Sequence, residues 1–189
     1  MIGTNEACIL SIIIIILVFS SLFIIIIYNR LINLANNIDR AWANIDVSLK
    51  QRYNELPNLI STVKGYMTYE KTLLETITKA RSYLNKENDL SKKAAASDII
   101  SESLKSLFAV VEKYPDLKAV ENFSHLQRRI SALENEIADR REYYNECVTI
   151  YNIRIKSFPD LLIARLLKIK EKNLFKATED DKSYVKLKF

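Results

Sequence analysis

Apolar side chains fill residues 9–28 almost without interruption, and only three serines break the run. At about 1.5 Å of rise per residue, a helix of this length spans roughly 30 Å, which matches the hydrocarbon core of a bilayer. A helix that is apolar on every face is not needed in a soluble core of this size. The run therefore predicts a transmembrane helix.

The pattern changes after the run, because apolar residues from Leu31 to Leu84 recur at alternating steps of three and four. This spacing is typical of a helix with one apolar stripe, and its near-heptad period favours packing at shallow angles. Pro57 interrupts the stripe without changing its phase, and an internal proline kinks a helix. The pattern predicts one long bent helix or two nearly coaxial helices.

Three more helices are predicted beyond the polar turn at residues 85–91. The apolar spacing indicates a helix from about Lys92 to Lys113, a helix of about 40 residues beginning near Val120, and a short helix from Asp160 to about Phe175. Long helices joined by short turns indicate a bundle. The predicted fold class is therefore all-α, with an N-terminal transmembrane helix followed by an antiparallel, up-and-down bundle of long helices.

The predicted organisation consists of a tail at 1–8, the transmembrane helix at 9–28, the bundle at 29–176 and a tail at 177–189. A cleaved signal peptide is the competing interpretation of the apolar run, but no basic residue precedes the run, and the run is too long. Arg30 and Arg40 follow it closely. Because positive flanks stay on the cytoplasmic side, we expect an outside N-terminus and a cytoplasmic bundle at the plasma (inner) membrane.

Composition argues against most kinds of catalysis. The chain has 2 glycines, 2 cysteines and 1 histidine. Phosphate-binding loops need glycine, and acid–base catalysis at neutral pH usually needs a histidine or a perturbed carboxylate in a pocket. A helical di-metal site would require Glu-x-x-His pairs, which the sequence lacks. The net charge of +5 is not gathered into a clustered basic face or a nucleic-acid reading motif. We therefore expect no enzyme activity, cofactor, metal or nucleic-acid partner.

Polar residues recur at heptad spacing, which places each repeated pair on one face of its helix. Two such repeats are Asn37/Asp39 with Asn44/Asp46, and Tyr144-Asn145 with Tyr151-Asn152. Such residues either form internal polar layers that set helix register or line an exposed groove for a partner. The candidate interaction or register-setting residues are Trp42, Asn44, Asp46, Arg52, Asn58, Asn122, Gln127, Glu134, Asn135, Asn145 and Asn152.

The last predicted helix has a basic edge opposite its apolar side chains. Its cations recur at steps of three, four and four residues and comprise Arg165, Lys168, Lys172 and Lys176. A basic amphipathic helix binds a membrane surface, and these residues are candidates for that contact. The alternative is a helix that packs on the bundle with its cations in water.

Several motifs together resemble the LemA family over about residues 28–160. They include AWANIDV at 41–47, RYNELPNLI at 52–60, VKGY at 63–66, LKAVENFSHLQ at 117–127, ENEI at 134–137, the two Tyr-Asn pairs and SFP at 157–159. The resemblance implies a single-pass bacterial-type membrane protein with an up-and-down helical bundle, and it names a fold, not a reaction. The chain departs from the family pattern after Pro159. It also departs at Tyr69, where a histidine is common before Glu70, and this argues against a role that needs that imidazole.

These patterns favour a membrane-anchored scaffold that binds a protein partner of unknown identity. The alternative is a membrane-shaping or lipid-engaging oligomeric module, in which the span and the basic last helix both contact lipid. The lipid bilayer is the expected partner of residues 9–28, and a homo-oligomer is possible under either hypothesis.

Overall fold

The computed structural model describes residues 4–67, 69–177 and 183. Its helices are α1 (Thr4–Lys64), α2 (Lys71–Lys86), α3 (Leu90–Val111), α4 (Pro115–Lys118), α5 (Glu121–Lys156) and α6 (Asp160–Leu166). The described part of the chain contains no strand, so the predicted all-helical class is confirmed. Most of the predicted tail at 177–189 lies outside the described residues.

The chain divides into two compact units, each made of two separate segments. The first, the anchor unit, comprises Met1–Asp39 and Cys147–Lys172. The second, the distal unit, comprises Arg40–Glu146 and Asn173–Phe189. Both α1 and α5 therefore contribute to each unit.

The predicted transmembrane segment forms part of α1 in the anchor unit. The side chains from Ile9 to Ile26 are all exposed, and α1 is the one helix among the described residues that is long and apolar enough to cross a membrane. The Ser21 hydroxyl donates a hydrogen bond to the Leu17 carbonyl at 2.7 Å. This bond satisfies the serine within its own helix, which is why the residue suits an apolar setting.

The anchor unit also has a core of its own, which lies beyond the exposed apolar run. Within α1, Ile27, Leu31 and Ile38 are each at most 2% exposed. The other segment of the unit contributes buried side chains from Val148, Tyr151, Ile155, Ile163 and Ala164.

Pro57 does not end α1, which continues to Lys64. The turn that follows begins at Gly65, and both Tyr66 and Met67 donate to the Val63 carbonyl. Glycine favours this end of the helix, because it has the highest backbone entropy to lose in a helix.

The next helix, α2, lies beside α1, since the Arg81 Nε donates to the Tyr53 carbonyl at 2.8 Å and the Arg81 guanidinium carbon lies 3.6 Å from the centre of the Tyr53 ring. Neither a single bent helix to Leu84 nor a coaxial pair of helices is therefore correct.

A buried apolar core joins the helices of the distal unit. Small residues lie in the first half of α3, where Ala94, Ala95, Ala96 and Ser97 are 0% exposed. Side chains of this size let neighbouring helices approach closely. The larger core side chains include Leu56, Leu59, Ile77, Ile100, Leu104, Leu107, Phe123, Ile130 and Ile137.

The predicted last helix is shorter than expected, because α6 ends at Leu166 instead of near Phe175. Lys168 has a φ of 52°, and the amides of Lys168 and Ile169 donate to the carbonyls of Arg165 and Ala164. These are the two bonds of a Schellman motif, which terminates a helix. The chain beyond Leu166 is not helical as far as Ala177. We call residues 168–177 the C-terminal strap.

Candidate functional site

One buried cation connects three helices of the distal unit. Arg52 of α1 is 0% exposed, and its Nη1 donates to Glu134 of α5 at 2.5 Å and to Ser101 of α3 at 3.0 Å. Its Nη2 donates to Ser97 of α3 at 2.7 Å. The polar layer is therefore internal at these residues, and its hydrogen bonds hold α1, α3 and α5 at one axial level.

Burial sets the electrostatics of this layer. Removal from water lowers the pKa of the Arg52 guanidinium from its ordinary value, and the charge and hydrogen bond of Glu134 oppose that effect. A buried charge is tolerated only when it is paired and hydrogen-bonded. The arrangement supports register and structure, because the hydrogen bonds of one guanidinium join side chains of α1, α3 and α5.

Trp42 lies in an aromatic cluster that includes the end of the strap. Its ring meets Tyr144 edge-on, with centroids 6.2 Å apart, and it tilts against Phe175 at 5.7 Å. Phe175 is 1% exposed, and the guanidinium carbon of Arg141 lies 4.9 Å from the centre of its ring. Lys93 approaches the Trp42 ring at 5.5 Å. We call this set the Trp42 cluster.

The Asn145 side chain binds the strap through its main chain. Its Oδ1 accepts the Phe175 amide at 2.8 Å, and its Nδ2 contacts the Phe175 carbonyl at 3.5 Å. The adjacent Tyr144 hydroxyl donates to the Asn173 carbonyl at 3.1 Å. The Tyr144-Asn145 pair thus binds three main-chain groups of the strap, which are the amide and carbonyl of Phe175 and the carbonyl of Asn173.

The second Tyr-Asn pair makes the same kind of contact within the anchor unit. Asn152 accepts the Lys172 amide at 3.0 Å and donates to the Lys172 carbonyl at 2.9 Å. The Tyr151 hydroxyl contacts the Lys170 carbonyl at 3.5 Å, and burial, followed by the negative charge of Asp39, raises the pKa of Tyr151 above its ordinary value.

Each Tyr-Asn pair binds its own part of the strap. Asn145 holds Phe175 within the distal unit, and Asn152 holds Lys172 within the anchor unit.

The remaining candidate residues are not gathered into one site. Asn44, Asn58, Asn122 and Asn135 are exposed, and Gln127 is half-buried. The Asn44 carbonyl accepts from Arg140.

Asp46 is half-buried and forms ion pairs with Lys50 at 2.7 Å and Lys93 at 4.0 Å. Asn135 lines a polar groove of about 340 Å³, together with Asp98, Ser101, Glu102, Lys105, Glu134, Ile137, Ala138 and Arg141.

The predicted basic edge does not form one helical face. Arg165 is exposed on α6, whereas Lys168, Lys172 and Lys176 lie in the non-helical strap. Lys172 also carries an ion-pair contact of 3.9 Å to Asp39. The predicted amphipathic helix was wrong because the Schellman turn ends the helical spacing before the last three lysines.

Sequence reasoning missed Ser97, Ser101, Lys93, Arg141 and Phe175. The run of small residues before Ser97 was an available signal for close helix approach. Phe175 is the one aromatic residue of the strap, and a lone aromatic in such a segment is a signal for docking. Among the residues that the structure describes, no group of three or more His, Cys, Asp or Glu side chains is placed to hold a metal ion.

Comparison with known proteins supplies relatives for this arrangement. The family model described as "LemA family" matches residues 41–189. Protein LemA of Metamycoplasma hominis is 30% identical, over 80% of this chain and 69% of its own length.

Magnetosome protein MamQ 2 of Paramagnetospirillum magneticum is 25% identical, over 70% of this chain. Magnetosome protein MamQ of Magnetospirillum gryphiswaldense is 22% identical over the same share. This chain spans 58% of the length of each of these MamQ relatives.

Proposed function

This chain belongs to the LemA family, and from that premise we propose that it is a single-pass membrane protein whose helical bundle acts as a scaffold for a protein partner. The anchor is supported by the exposed apolar run of α1. Arg30 and Arg40, close behind that run, favour a cytoplasmic bundle at the plasma (inner) membrane.

Contacts in the distal unit support the antiparallel packing that the proposal includes. Glu55, Arg52 and Asn44 of α1 contact Arg129, Glu134 and Arg140 of α5, respectively. Residue numbers fall along α1 as they rise along α5, as expected for two antiparallel helices. The Arg81–Tyr53 hydrogen bond places α2 beside α1 in the same unit.

The observation that carries the scaffold proposal is the docking of the strap on Tyr144 and Asn145. Hydrogen bonds to main-chain groups accept many sequences, and one buried aromatic side chain adds selectivity, as in other modes of extended-peptide recognition. Phe175 supplies that side chain in the present case. The partner that fits is therefore a protein segment that offers main-chain groups to Tyr144 and Asn145 and an aromatic residue at the position of Phe175.

Trp42 is the only tryptophan of the chain, and it touches Phe175, so its fluorescence reports directly on the occupancy of this site. The test uses the full chain in lipid nanodiscs with Phe175→Ala, which empties the aromatic position. A peptide with the sequence of residues 170–177 is then titrated in. We expect a saturable change in Trp42 emission, and a weaker response in the unsubstituted chain, because its own strap competes.

Two matched controls define the result. The same peptide with alanine in place of its phenylalanine is expected not to bind, and the double variant Phe175→Ala/Asn145→Leu is expected to lose the response while keeping its helical circular dichroism. Absence of peptide binding to a folded Phe175→Ala chain would show that the strap contact is structural only, and the scaffold proposal would lose its main support.

A lipid-engaging module is the second candidate function, and the exposed apolar side chains around α6 favour it. Phe158 is 80% exposed and Leu166 is 75% exposed, which is unusual for large apolar residues unless they meet a partner or a membrane. If the module shapes membranes as an oligomer, proteoliposomes of the full chain will show altered curvature by electron cryomicroscopy. Vesicles that remain unchanged at all protein densities would exclude membrane shaping.

A further inference from the structure

An apolar surface remains exposed where α5 passes into α6 in the anchor unit. Its side chains are 57% to 80% exposed and belong to Ile153, Phe158, Leu162 and Leu166. Cations lie along the same segment, since Arg154, Arg165 and Lys168 are also exposed. We call this surface the α6 corner.

Contacts within the anchor unit place the α6 corner along α1. Asp39 marks one end, because it pairs with Lys172 at 3.9 Å, and Lys172 is in turn held by Asn152 of α5. Ile27 and Leu31 are 2% and 1% exposed, and α1 rises about 18 Å from Asp39 back to Ile27.

Among the described residues of the anchor unit, the segment that can pack on those two α1 side chains is Cys147–Lys172. Because Lys172 links Asn152 to Asp39, we place the later residues of α5 and those of α6 against Leu31 and Ile27.

This position is the end of the apolar run of α1. Ile27 belongs to the run, and the side chains before it, from Ile9 to Ile26, are exposed. The α6 corner therefore lies at the level where the membrane-spanning part of α1 is expected to leave the hydrocarbon core.

We infer that the α6 corner is a membrane-interface anchor, in which Phe158, Leu162 and Leu166 enter the headgroup and upper acyl-chain region beside α1. This inference rests on the proposed transmembrane anchor. Large apolar side chains gain by leaving water at that depth, and neighbouring arginine and lysine side chains reach the phosphates of anionic lipids. The contact differs from the basic amphipathic helix suggested by the sequence, because aromatic and aliphatic side chains carry it.

A lipid surface suits the corner better than a second protein does. The α6 corner lies at the level where α1 leaves the bilayer, so lipid is already next to this apolar surface. A protein partner would have to displace that lipid. Lysine and arginine side chains also extend along apolar surfaces with their charges in water, as the exposed Arg165 and Lys168 are placed to do at an interface.

The test measures quenching of single tryptophans by lipids brominated on the upper acyl chain, with the full chain in anionic proteoliposomes. Trp42→Phe removes the native fluorophore and retains an aromatic ring. Tryptophan is then introduced by Phe158→Trp or Leu166→Trp in the corner, or by Phe19→Trp in the span. Tyr143→Trp, at an exposed position of α5 in the distal unit, is the control. We expect loss of emission for the two corner variants and for the span variant, and unchanged emission for Tyr143→Trp.

Each other outcome has a definite meaning. If Phe19→Trp is quenched and both corner variants are not, the inference is overturned while the anchor stands. If no variant is quenched, the anchor itself fails. Equal quenching of Tyr143→Trp would also overturn the inference, because the bundle would then lie on the membrane without a specific corner.

Discussion

The Arg52 guanidinium of α1 lies 2.5 Å from the Glu134 carboxylate of α5, although 82 residues separate them in the chain. The same guanidinium reaches Ser97 and Ser101 of α3. Polar groups in a core gain little net stability compared with apolar packing, but they fix which residues lie opposite each other. A sliding of α1 by one turn would leave this cation buried without its partners.

Replacing Glu134 by alanine is expected to lower the free energy of unfolding by about 3 kcal/mol, because the Arg52 charge would remain buried without its counter-charge. This value is at the low end for buried pairs, since the Glu134 side chain is 21% exposed and that of Arg52 is 1% exposed. Urea unfolding followed by far-ultraviolet circular dichroism in detergent micelles measures the change.

The Glu55–Arg129 pair provides a matched control, because it also joins α1 to α5, at 2.6 Å. Glu55 is 22% exposed, close to Glu134, but Arg129 is 51% exposed. Glu55→Ala is therefore expected to cost at most about 1 kcal/mol. Equal losses for the two alanine variants would contradict the argument that burial of the cation decides the cost.

Much of the helical content was predictable because apolar spacing is a local signal. Both Arg52 and Glu134 were among the candidates, yet their pairing was not predictable, since it depends on how distant helices align. The strap was mistaken for a helix because its lysines keep helical spacing, whereas the Schellman turn at Lys168 involves main-chain bonds that residue spacing does not report. Heptad repetition of Tyr-Asn did indicate a function for Asn145 and Asn152, but not the chain segment that they bind.

The amide of Phe175 is expected to exchange rapidly with solvent deuterium in Asn145→Leu, because its acceptor is removed. The amide of Lys172 is expected to stay protected in the same variant, since Asn152 accepts it. Hydrogen exchange with mass spectrometry at single-residue resolution on the full chain measures both.

Asn152→Leu is the reciprocal control, with the opposite pair of outcomes expected. Loss of protection at both amides in either single variant would show that the strap opens as one cooperative segment. The two Tyr-Asn pairs would then not act as separate contacts.

Glu87, in the turn between α2 and α3, makes the stability of this turn dependent on pH. Its carboxylate accepts hydrogen bonds from the amides of Asp89 and Asn88 and from the Tyr83 hydroxyl. The Asp89 amide is the main cause that lowers the pKa of Glu87 below its ordinary value of 4.5. A lowered pKa in the folded state contributes stability above the unfolded value, and this contribution is lost as the pH falls through the folded value.

Glu87→Gln is therefore expected to be less stable than the unsubstituted chain at neutral pH, with the difference shrinking as the pH falls below 4.5. Unfolding free energies of the two proteins, measured side by side across that range, isolate this group from the other acids. Tyr83→Phe, which removes one donor, is expected to reduce the difference in part. A difference that stays constant with pH would contradict the assignment.

Lys168 occupies the left-handed region, with a φ of 52°, at the turn where α6 ends and the strap begins. A side chain with a Cβ costs about 1–2 kcal/mol there, whereas glycine adopts this conformation freely but adds entropy to the unfolded chain. Lys168→Gly is therefore expected to raise the midpoint of thermal unfolding, and Lys168→Val to lower it, since β-branched residues fit positive φ worst.

Lys170→Gly is the matched control. Lys170 lies in the same strap without positive φ, so only the entropic cost of glycine remains, and the midpoint of thermal unfolding is expected to fall. If Lys168→Gly and Lys170→Gly lower the midpoint equally, the turn at Lys168 stores no backbone strain, and the termination of α6 must be explained by its Schellman hydrogen bonds alone.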